Sequence, residues 1–179
     1  MNTNIENLQY PIGKFDKPME FNDEMIQDWI RDIKALPFLM DACIENMDAY
    51  QLQTPYRDGG WTVAQLIHHV ADSHLNAYTR FKLALTEDNP TIKPYNQKGW
   101  AEMIDSKTVP VNISVTLIHT LHTRLIAIME NMQTTDWLKT YVHPEYKIIV
   151  PLWEVLALYA WHGKHHAQHI FNLKERMNW

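Results

Sequence analysis

Histidines are concentrated in two short segments of this 179-residue chain. The segment "AWHGKHHAQHI", residues 160–170, contains four of the ten histidines, and "IHHVADSH", residues 67–74, contains three more. Such a density has three explanations: a solvated polar face, hydrogen-bonded histidines in the core, or a metal site, because imidazole nitrogens bind zinc, nickel and copper. The spacing within each segment decides which rings can reach a common ion.

The segment near the C-terminus, residues 160–170, predicts one metal-binding pair. Its apolar residues form a single stripe on a helix that we predict from Pro151 to about Arg176. His166 lies near the middle of the stripe and His162 on its edge, one turn earlier, so the two rings can share an ion. The H-x-x-x-H spacing recurs in helical zinc sites, but it is also frequent in proteins without a metal. The other two histidines of this segment are His165 and His169. We expect them to be solvated or to hydrogen-bond a metal ligand, and we expect His165 to point toward solvent.

The other segment offers a third ligand, as catalytic zinc sites usually have three protein ligands and an open position. On the helix predicted there, His74 lies well inside the apolar stripe, His69 lies on its flank and His68 points away from it. Periodicity therefore favours His74 mildly and leaves His69 open. Three further histidines are more simply explained by the edge of the core or by a turn: His119, His122 and His143.

Two of the elements that position these residues begin at clear capping signals. Asn22 is a predicted N-cap of the first long helix, inside which Pro37 is expected to kink or split the chain, since proline cannot donate the helical hydrogen bond. Thr62 and Gln65 form a capping box at the start of the second helix, predicted from about residue 63 to about residue 85.

The rest of the chain predicts a helical bundle. A third helix is expected over about residues 112–132, and the β-branched segment "KTYVHPEYKIIVP" predicts a small β-hairpin before the last helix. Four long amphipathic helices favour an all-α four-helix bundle, here a single domain over residues 1–179 with an irregular lead-in. The polar connection "TEDNPTIKPYNQKGW" is long for such a bundle, so we expect it to cover the site, with Tyr95 and Trp100 as apolar contacts.

Composition excludes several classes of function. With 46% apolar and 21% charged residues the chain is an ordinary globular protein. The net charge of −5 disfavours binding to nucleic acid, and no stretch approaches the roughly 20 apolar residues of a membrane span. The N-terminus lacks the pattern of a secretory signal, and a single cysteine, Cys43, fits the reducing cytoplasm.

Three segments in this order resemble the YfiT-type branch of the DinB-like proteins, bacterial metal-dependent hydrolases: "GGWTVAQLIHHVADSH", "RFKLALTEDNPTIKPYNQKGW" and "YAWHGKHHAQHI". The resemblance runs from "LQYPIG" to the closing "RMNW". It implies a four-helix bundle, a homodimer, and one zinc or nickel ion held by a histidine of the second helix and the H-x-x-x-H pair of the last. On this chain these ligands are His69, His162 and His166, against the mild preference of periodicity for His74.

Three functions are compatible with such a site. Three neutral imidazoles leave the ion its full double charge, so a hydrolase would use it to acidify a water and polarise a substrate carbonyl. Related DinB-like proteins are linked to bacillithiol S-transfer, so the resemblance also implies an alternative in which the ion deprotonates a low-molecular-weight thiol. A non-catalytic metal-binding bundle would instead be closed by a fourth ligand, such as His74 or His122. Either enzyme would act on a small molecule.

The acid–base residues of such an enzyme are less well determined by the sequence. Asp72, Ser73 and His74 lie near His69 in the chain and are the catalytic candidates, although Asp72 is as easily explained as an exposed carboxylate. Two other carboxylates that could move a proton are Glu102 and Glu154.

Overall fold

The computed structural model describes residues 5–179 of the chain; the first four residues of the predicted domain lie outside the described range. Within that range the chain forms nine helices and two strands. They are α1 (Ile5–Gln9), α2 (Asp23–Ile44), α3 (Ala49–Leu52), α4 (Val63–Thr86), α5 (Gln97–Ala101), α6 (Asp105–Thr108), α7 (Val111–Met129), α8 (Thr134–Trp137), β1 (Thr140–His143), β2 (Ile148–Pro151) and α9 (Leu152–Met177).

The four long helices, α2, α4, α7 and α9, form a bundle, as predicted. Helix α2 packs against both α7 and α9, and α4 packs against the same two helices. The two helices that contain the histidine segments, α4 and α9, are therefore neighbours. Helix–helix packing alone can bring their side chains together.

Helix α2 begins where the sequence predicts, because the Asn22 side chain accepts a hydrogen bond from the backbone nitrogen of Met25 at 2.9 Å. Of the two expectations for Pro37, a kink or a split, the split is wrong, since α2 continues to Ile44. Proline at this position cannot donate to the carbonyl of Ile33, four residues earlier. His122 of α7 fills that role, because its Nδ1 lies 2.7 Å from the Ile33 oxygen. A tertiary hydrogen bond thus satisfies the carbonyl that proline leaves free.

Helix α4 starts at the predicted capping box. The backbone nitrogen of Gln65 donates to Thr62 Oγ1 at 3.1 Å, and the Gln65 side chain accepts from the backbone nitrogen of Thr62 at 3.0 Å. The Gln65 amide also donates to the carbonyl of Ala101 at 2.8 Å, which ties α5 to the start of α4. The cap fixes where α4 begins and hence which of its residues face α9.

The predicted hairpin is confirmed and extends to the long connection after α4. Strands β1 and β2 pair antiparallel, with Tyr141 opposite Val150. The backbone of Val142 bonds to Ile92 at 3.0 Å and to Pro90 at 2.9 Å. The connection between α4 and α5 is therefore held against β1 and forms a defined wall.

The buried apolar residues form two clusters along the bundle. On α4 one cluster contains residues up to Ala71 and the other begins at Ala77; on α9 one ends at Tyr159 and the other begins at Ala167. Four buried histidines lie in the gap between the two clusters: His74 on α4, His165 and His166 on α9, and His122 on α7. A layer of imidazoles thus separates two apolar halves of the core.

Helix α7 is, by length and composition, apolar enough to cross a membrane. Its 19 residues have a mean hydropathy of 1.2, and 28% of that stretch is buried. A single helix of this kind is weak evidence for a membrane span, because core helices of water-soluble proteins meet the same criterion. In this structure α7 packs against α2 and α4.

Candidate metal centre

Three histidine side chains from two helices converge on one point. His69 comes from α4, and His162 and His166 lie one turn apart on α9. The Nε2 atom of His162 lies 3.2 Å from Nε2 of His69 and 3.1 Å from Nε2 of His166. One nitrogen from each ring lies within 4.8 Å of the other two. The structure therefore brings His69 to the pair on α9, whereas His74 is not in this group.

The separations of these nitrogens fit a tetrahedral metal site. With Zn–N bonds of about 2.0–2.1 Å, two ligand nitrogens of a tetrahedral site lie about 3.3–3.4 Å apart. A neutral imidazole nitrogen has either one hydrogen or one lone pair. Nε2 of His162 therefore cannot form good hydrogen bonds to both of its neighbours, whereas three lone pairs directed at one cation would satisfy all three atoms.

Burial keeps these rings neutral. Loss of hydration, reinforced by His165, lowers the pKa of His69 to about 4. Loss of hydration also holds the pKa values of His162 and His166 well below the ordinary value, and the neighbouring histidines add to the effect. A metal ligand must be the unprotonated imidazole. At neutral pH all three rings are in that form.

His74 and His122 pair with each other instead of joining the group. Nε2 of His122 lies 3.0 Å from Nδ1 of His74, and Nδ1 of His122 bonds to the Ile33 carbonyl. His74 is completely buried and His122 is 1% exposed. Both histidines, either of which could have been the fourth ligand of a closed structural site, thus bond to each other instead.

His165 and His169 are buried, so the expectation that His165 points toward solvent is wrong, as is a solvated role for His169. The rings of Tyr10 and Trp161 pack on His165, with centroids 6.2 and 4.4 Å away. The N-terminal segment, which contains Tyr10, covers a face of α9 that helical periodicity assigns to solvent.

Two residues from distant parts of the chain cover His169 in the same way. The ring of Tyr56, from the connection between α3 and α4, lies 4.1 Å from the His169 ring, and Nε2 of His169 lies 3.2 Å from the carbonyl oxygen of Gln9. Nitrogens of His165, His166 and His169 also lie within 4.8 Å of one another. This second group shares His166 with the first.

The group of His69, His162 and His166 opens into a cavity of about 430 Å³. The connection after α4 contributes Tyr95 to the lining, as predicted. Trp100 does not line the cavity but packs on the Tyr95 ring, with centroids 4.6 Å apart. One side of the three nitrogens is thus accessible to a small molecule.

Of the acid–base candidates predicted from the sequence, some line the cavity and others do not. Ser73 is buried and lines the cavity, and so does Glu154, whose carboxylate is bound by Lys17 at 2.6 Å. Asp72 does not line it, although burial, with a smaller effect of Asp105, raises its pKa to about 6.

Two other candidates also lie away from the cavity. Glu102 is outside the lining, and a hydrogen bond from Lys107 lowers its pKa. His74 is fully buried and does not reach the cavity either.

Arg80 and Tyr159 line the cavity and were missed by the sequence analysis. The Arg80 guanidinium donates to the Tyr159 hydroxyl at 3.5 Å and lies 6.0 Å from the ring of Tyr141 on β1. Helical spacing contained a signal for both. Arg80 is eleven residues, about three turns, after His69, and Tyr159 is three residues before His162.

Comparison with known proteins supports one family. Residues 32–170 match the sequence model of a family described as the DinB superfamily. Proteins from Bacillus cereus strain G9842 and Bacillus thuringiensis subsp. konkukian strain 97-27, both named "putative metal-dependent hydrolase", are each 48% identical to the chain, over 98% of its length and 100% of their own. The solved structure of YfiT from Bacillus subtilis, described as "a probable metal-dependent hydrolase with an unusual four-helix bundle topology", superposes with a TM-score of 0.94. It is 43% identical, and the match covers 97% of this chain and 99% of YfiT.

Proposed function

The chain belongs to the DinB superfamily, and from that membership we propose that it is a metal-dependent hydrolase whose divalent ion is held by His69, His162 and His166. The convergence of three neutral Nε2 atoms beside a cavity is the observation that carries the proposal. The names of the similar Bacillus proteins support it.

The protein residues around the site have distinct parts in such a reaction. A divalent ion held by three neutral ligands would supply a nucleophile by acidifying a water molecule and would polarise a carbonyl group. Ser73, one turn after His69, places a hydroxyl at the cavity for a hydrogen bond to substrate. Glu154 places the carboxylate bound by Lys17 there, as an acceptor for a proton.

The shape of the cavity favours a small-molecule substrate. Its volume of about 430 Å³ is in the range of small-molecule sites. Aromatic rings from three elements form much of the wall: Tyr95, Tyr141 and Tyr159. We propose a substrate with an apolar body and a hydrolysable polar group, which the walls would shield from water.

The ion, assembly and compartment belong to the same proposal. Three imidazoles suit zinc and nickel comparably, so both ions are candidates. We propose a homodimer as well, which the family resemblance implies. The one cysteine, Cys43, is a buried free thiol, which supports the cytoplasm as the compartment.

The ligand set is tested by metal content. The parent protein and the His166→Ala variant are loaded with zinc, desalted and analysed for metal, with helicity checked by circular dichroism. We expect about one zinc per parent chain and almost none in the variant, because two imidazoles bind weakly. His68→Ala is a matched control, since His68 is also buried but bonds to Ser114 of α7 at 2.8 Å. Unchanged zinc in His166→Ala would remove this residue from the ligand set.

The reaction class is tested on the zinc-loaded protein with para-nitrophenyl acetate, in the presence and absence of a low-molecular-weight thiol. A hydrolase should release nitrophenol without the thiol and lose this activity in His166→Ala. Turnover that requires the thiol would contradict the hydrolase and favour thiol transfer.

A further inference from the structure

The buried ring nitrogens without a hydrogen-bond partner include Nδ1 of His162, in the three-histidine group, and Nε2 of His74 beside it. The two rings are neighbours, with centroids 5.6 Å apart and planes inclined at 44°. A buried polar atom without a partner costs about 1–3 kcal/mol, so two on adjacent rings require an explanation.

The protonation of His74 can be followed from a backbone carbonyl. The Ile33 oxygen can only accept, so Nδ1 of His122, 2.7 Å away, must have the hydrogen. Burial lowers the pKa of His122 to about 4, so the ring is neutral and its Nε2 has a lone pair. That lone pair, 3.0 Å from Nδ1 of His74, accepts the hydrogen of His74.

His74 is then left with an acceptor on its other nitrogen. His74 is fully buried, and loss of hydration disfavours a charged ring, so this ring is also neutral. With the hydrogen on Nδ1, Nε2 has only a lone pair. The Ile33 carbonyl thus fixes the tautomer of His122, and His122 fixes that of His74, so both rings have their hydrogen on Nδ1.

His162 has the complementary need. If its Nε2 holds the ion, the neutral ring must have its hydrogen on Nδ1, which is the atom without a partner. Histidine ligands of metals almost always donate this second N–H to an acceptor. The unpaired donor and the unpaired acceptor lie on adjacent rings.

We propose that His74 is a positioning residue for the metal centre: in the ion-bound protein its Nε2 accepts the Nδ1–H of His162, and His122 and the Ile33 carbonyl hold it in the tautomer that can do so. The inference rests on the proposed function, since it requires His162 to be a ligand. In this proposal a chain of hydrogen bonds, here called the relay, connects the ion to α2 through His162, His74, His122 and the carbonyl of Ile33.

Two other roles for His74 fit the structure less well. It does not line the cavity, so it cannot take a proton directly from a substrate there. Its nitrogens are not in the group that could hold the ion, so it is not a fourth ligand.

Pro37 explains why the relay can end at Ile33. In a helix without proline, the residue at position 37 would donate its backbone N–H to the Ile33 carbonyl, but proline has no N–H. The oxygen is therefore available to His122, although it lies inside a 22-residue helix. Pro37 thus leaves the Ile33 carbonyl free to act as the last acceptor.

Zinc affinity separates this role from a purely structural one. Removing the partner of a ligand histidine typically lowers metal affinity 10- to 100-fold, and we expect a loss of about that size in His74→Leu. His74→Gln, whose side-chain oxygen can still accept from His162, should lose distinctly less. His68→Leu is the matched control, because it removes a buried histidine of the same helix that bonds only away from the site. Competition with a chromophoric chelator measures all four proteins.

Nuclear magnetic resonance tests the relay without any substitution. Long-range nitrogen–proton correlations of the zinc-loaded parent should show hydrogen on Nδ1 of His74, His122 and His162. Hydrogen on Nε2 of His74, or zinc affinity in His74→Leu equal to that of the parent, would overturn the inference while leaving the proposed function in place. A parent that binds no zinc would contradict the proposed function itself, and the inference with it.

Discussion

The imidazoles proposed as metal ligands are unusual at the residue scale because they have little affinity for protons. An ordinary histidine, with a pKa near 6.5, is partly protonated at slightly acidic pH and must release that proton to bind a metal. Burial lowers the pKa of His69 to about 4 and holds those of His162 and His166 well below normal. Protons therefore compete with a metal only at much lower pH.

Zinc affinity should accordingly depend little on pH in the mildly acidic range. Between about pH 7.5 and about pH 5.5 we expect less than a threefold change, because the lowered pKa values keep all three rings unprotonated throughout. Three ordinary histidines would lose affinity steeply below about pH 6.5. Competition titrations, corrected for protonation of the chelator, measure the dependence. A loss of tenfold or more per pH unit over this range would contradict the prediction.

The sequence predicts the His162–His166 pair but does not decide between His69 and His74. Five residues on a helix turn the side chain by about 140°, so these two histidines face different neighbours. His69 points to α9, where it meets His162, and His74 also reaches His122 on α7. Both faces of α4 are buried, and a single apolar stripe cannot show which one faces the other ligands.

At the element scale, the position of α9, which contains His162 and His166, depends on its close approach to α2. Gly163, next to His162, lies against Leu36: a Cβ at this glycine would be 2.7 Å from both terminal carbons of that leucine. Leu36 is itself buried, with 2% exposure, so its side chain has little room to move. A larger residue would have to push the helices apart beside the metal centre.

Gly163→Ala should therefore destabilise the protein. Overpacking costs about 1–3 kcal/mol, and the higher helix propensity of alanine recovers about 1 kcal/mol. We expect a net decrease of up to about 2 kcal/mol in the free energy of unfolding, measured by urea denaturation of the metal-free protein.

A double-mutant cycle with Leu36→Ala identifies the cause of that loss. The two substitutions should compensate each other by more than about 0.5 kcal/mol, since the smaller side chain at position 36 makes room for the new methyl group. Strict additivity would show that contact with Leu36 is not the reason for the loss.

Elements with local signals are well predicted from this sequence, and elements that depend on tertiary contacts are not. The caps at Asn22 and Thr62 and the hairpin before α9 follow from nearby residues. The uninterrupted course of α2 past Pro37 does not, because the bond that satisfies the free Ile33 carbonyl comes from His122, far away in the chain. The burial of His165 likewise depends on the N-terminal segment.

At the scale of the whole molecule, the histidines form a polar layer between two apolar halves of the core. Each long helix except α2 contributes rings to the layer, and α2 contributes the carbonyl of Ile33. Periodicity detects which face of one helix is buried, but not that the polar positions of several helices lie at the same level. The layer therefore could not be derived from any one segment.

This layer should make the metal-free protein sensitive to mild acid. Burial lowers the pKa values of His69, His122, His165 and His169 to about 4, whereas the unfolded chain has values near 6.5. Between these values the unfolded chain binds protons that the folded protein excludes, so stability decreases as pH falls from about 6.5 toward 4. Each fully shifted group contributes about 1.4 kcal/mol per pH unit. The raised pKa of Asp72 acts in the opposite direction, but it is one group against several.

Urea denaturation at a series of pH values measures this slope, and His165→Phe provides the comparison. Phenylalanine can keep the stacking on Trp161, where the ring centroids are 4.4 Å apart, while removing one group that titrates. The Nδ1 atom of His165 has no hydrogen-bond partner, so no such bond is lost there. We expect a shallower loss of stability in the variant than in the parent. Equal stability of the parent at about pH 7.5 and about pH 5.5 would mean that the imidazole layer takes up protons without unfolding, contrary to the cost that burial imposes on the charged ring.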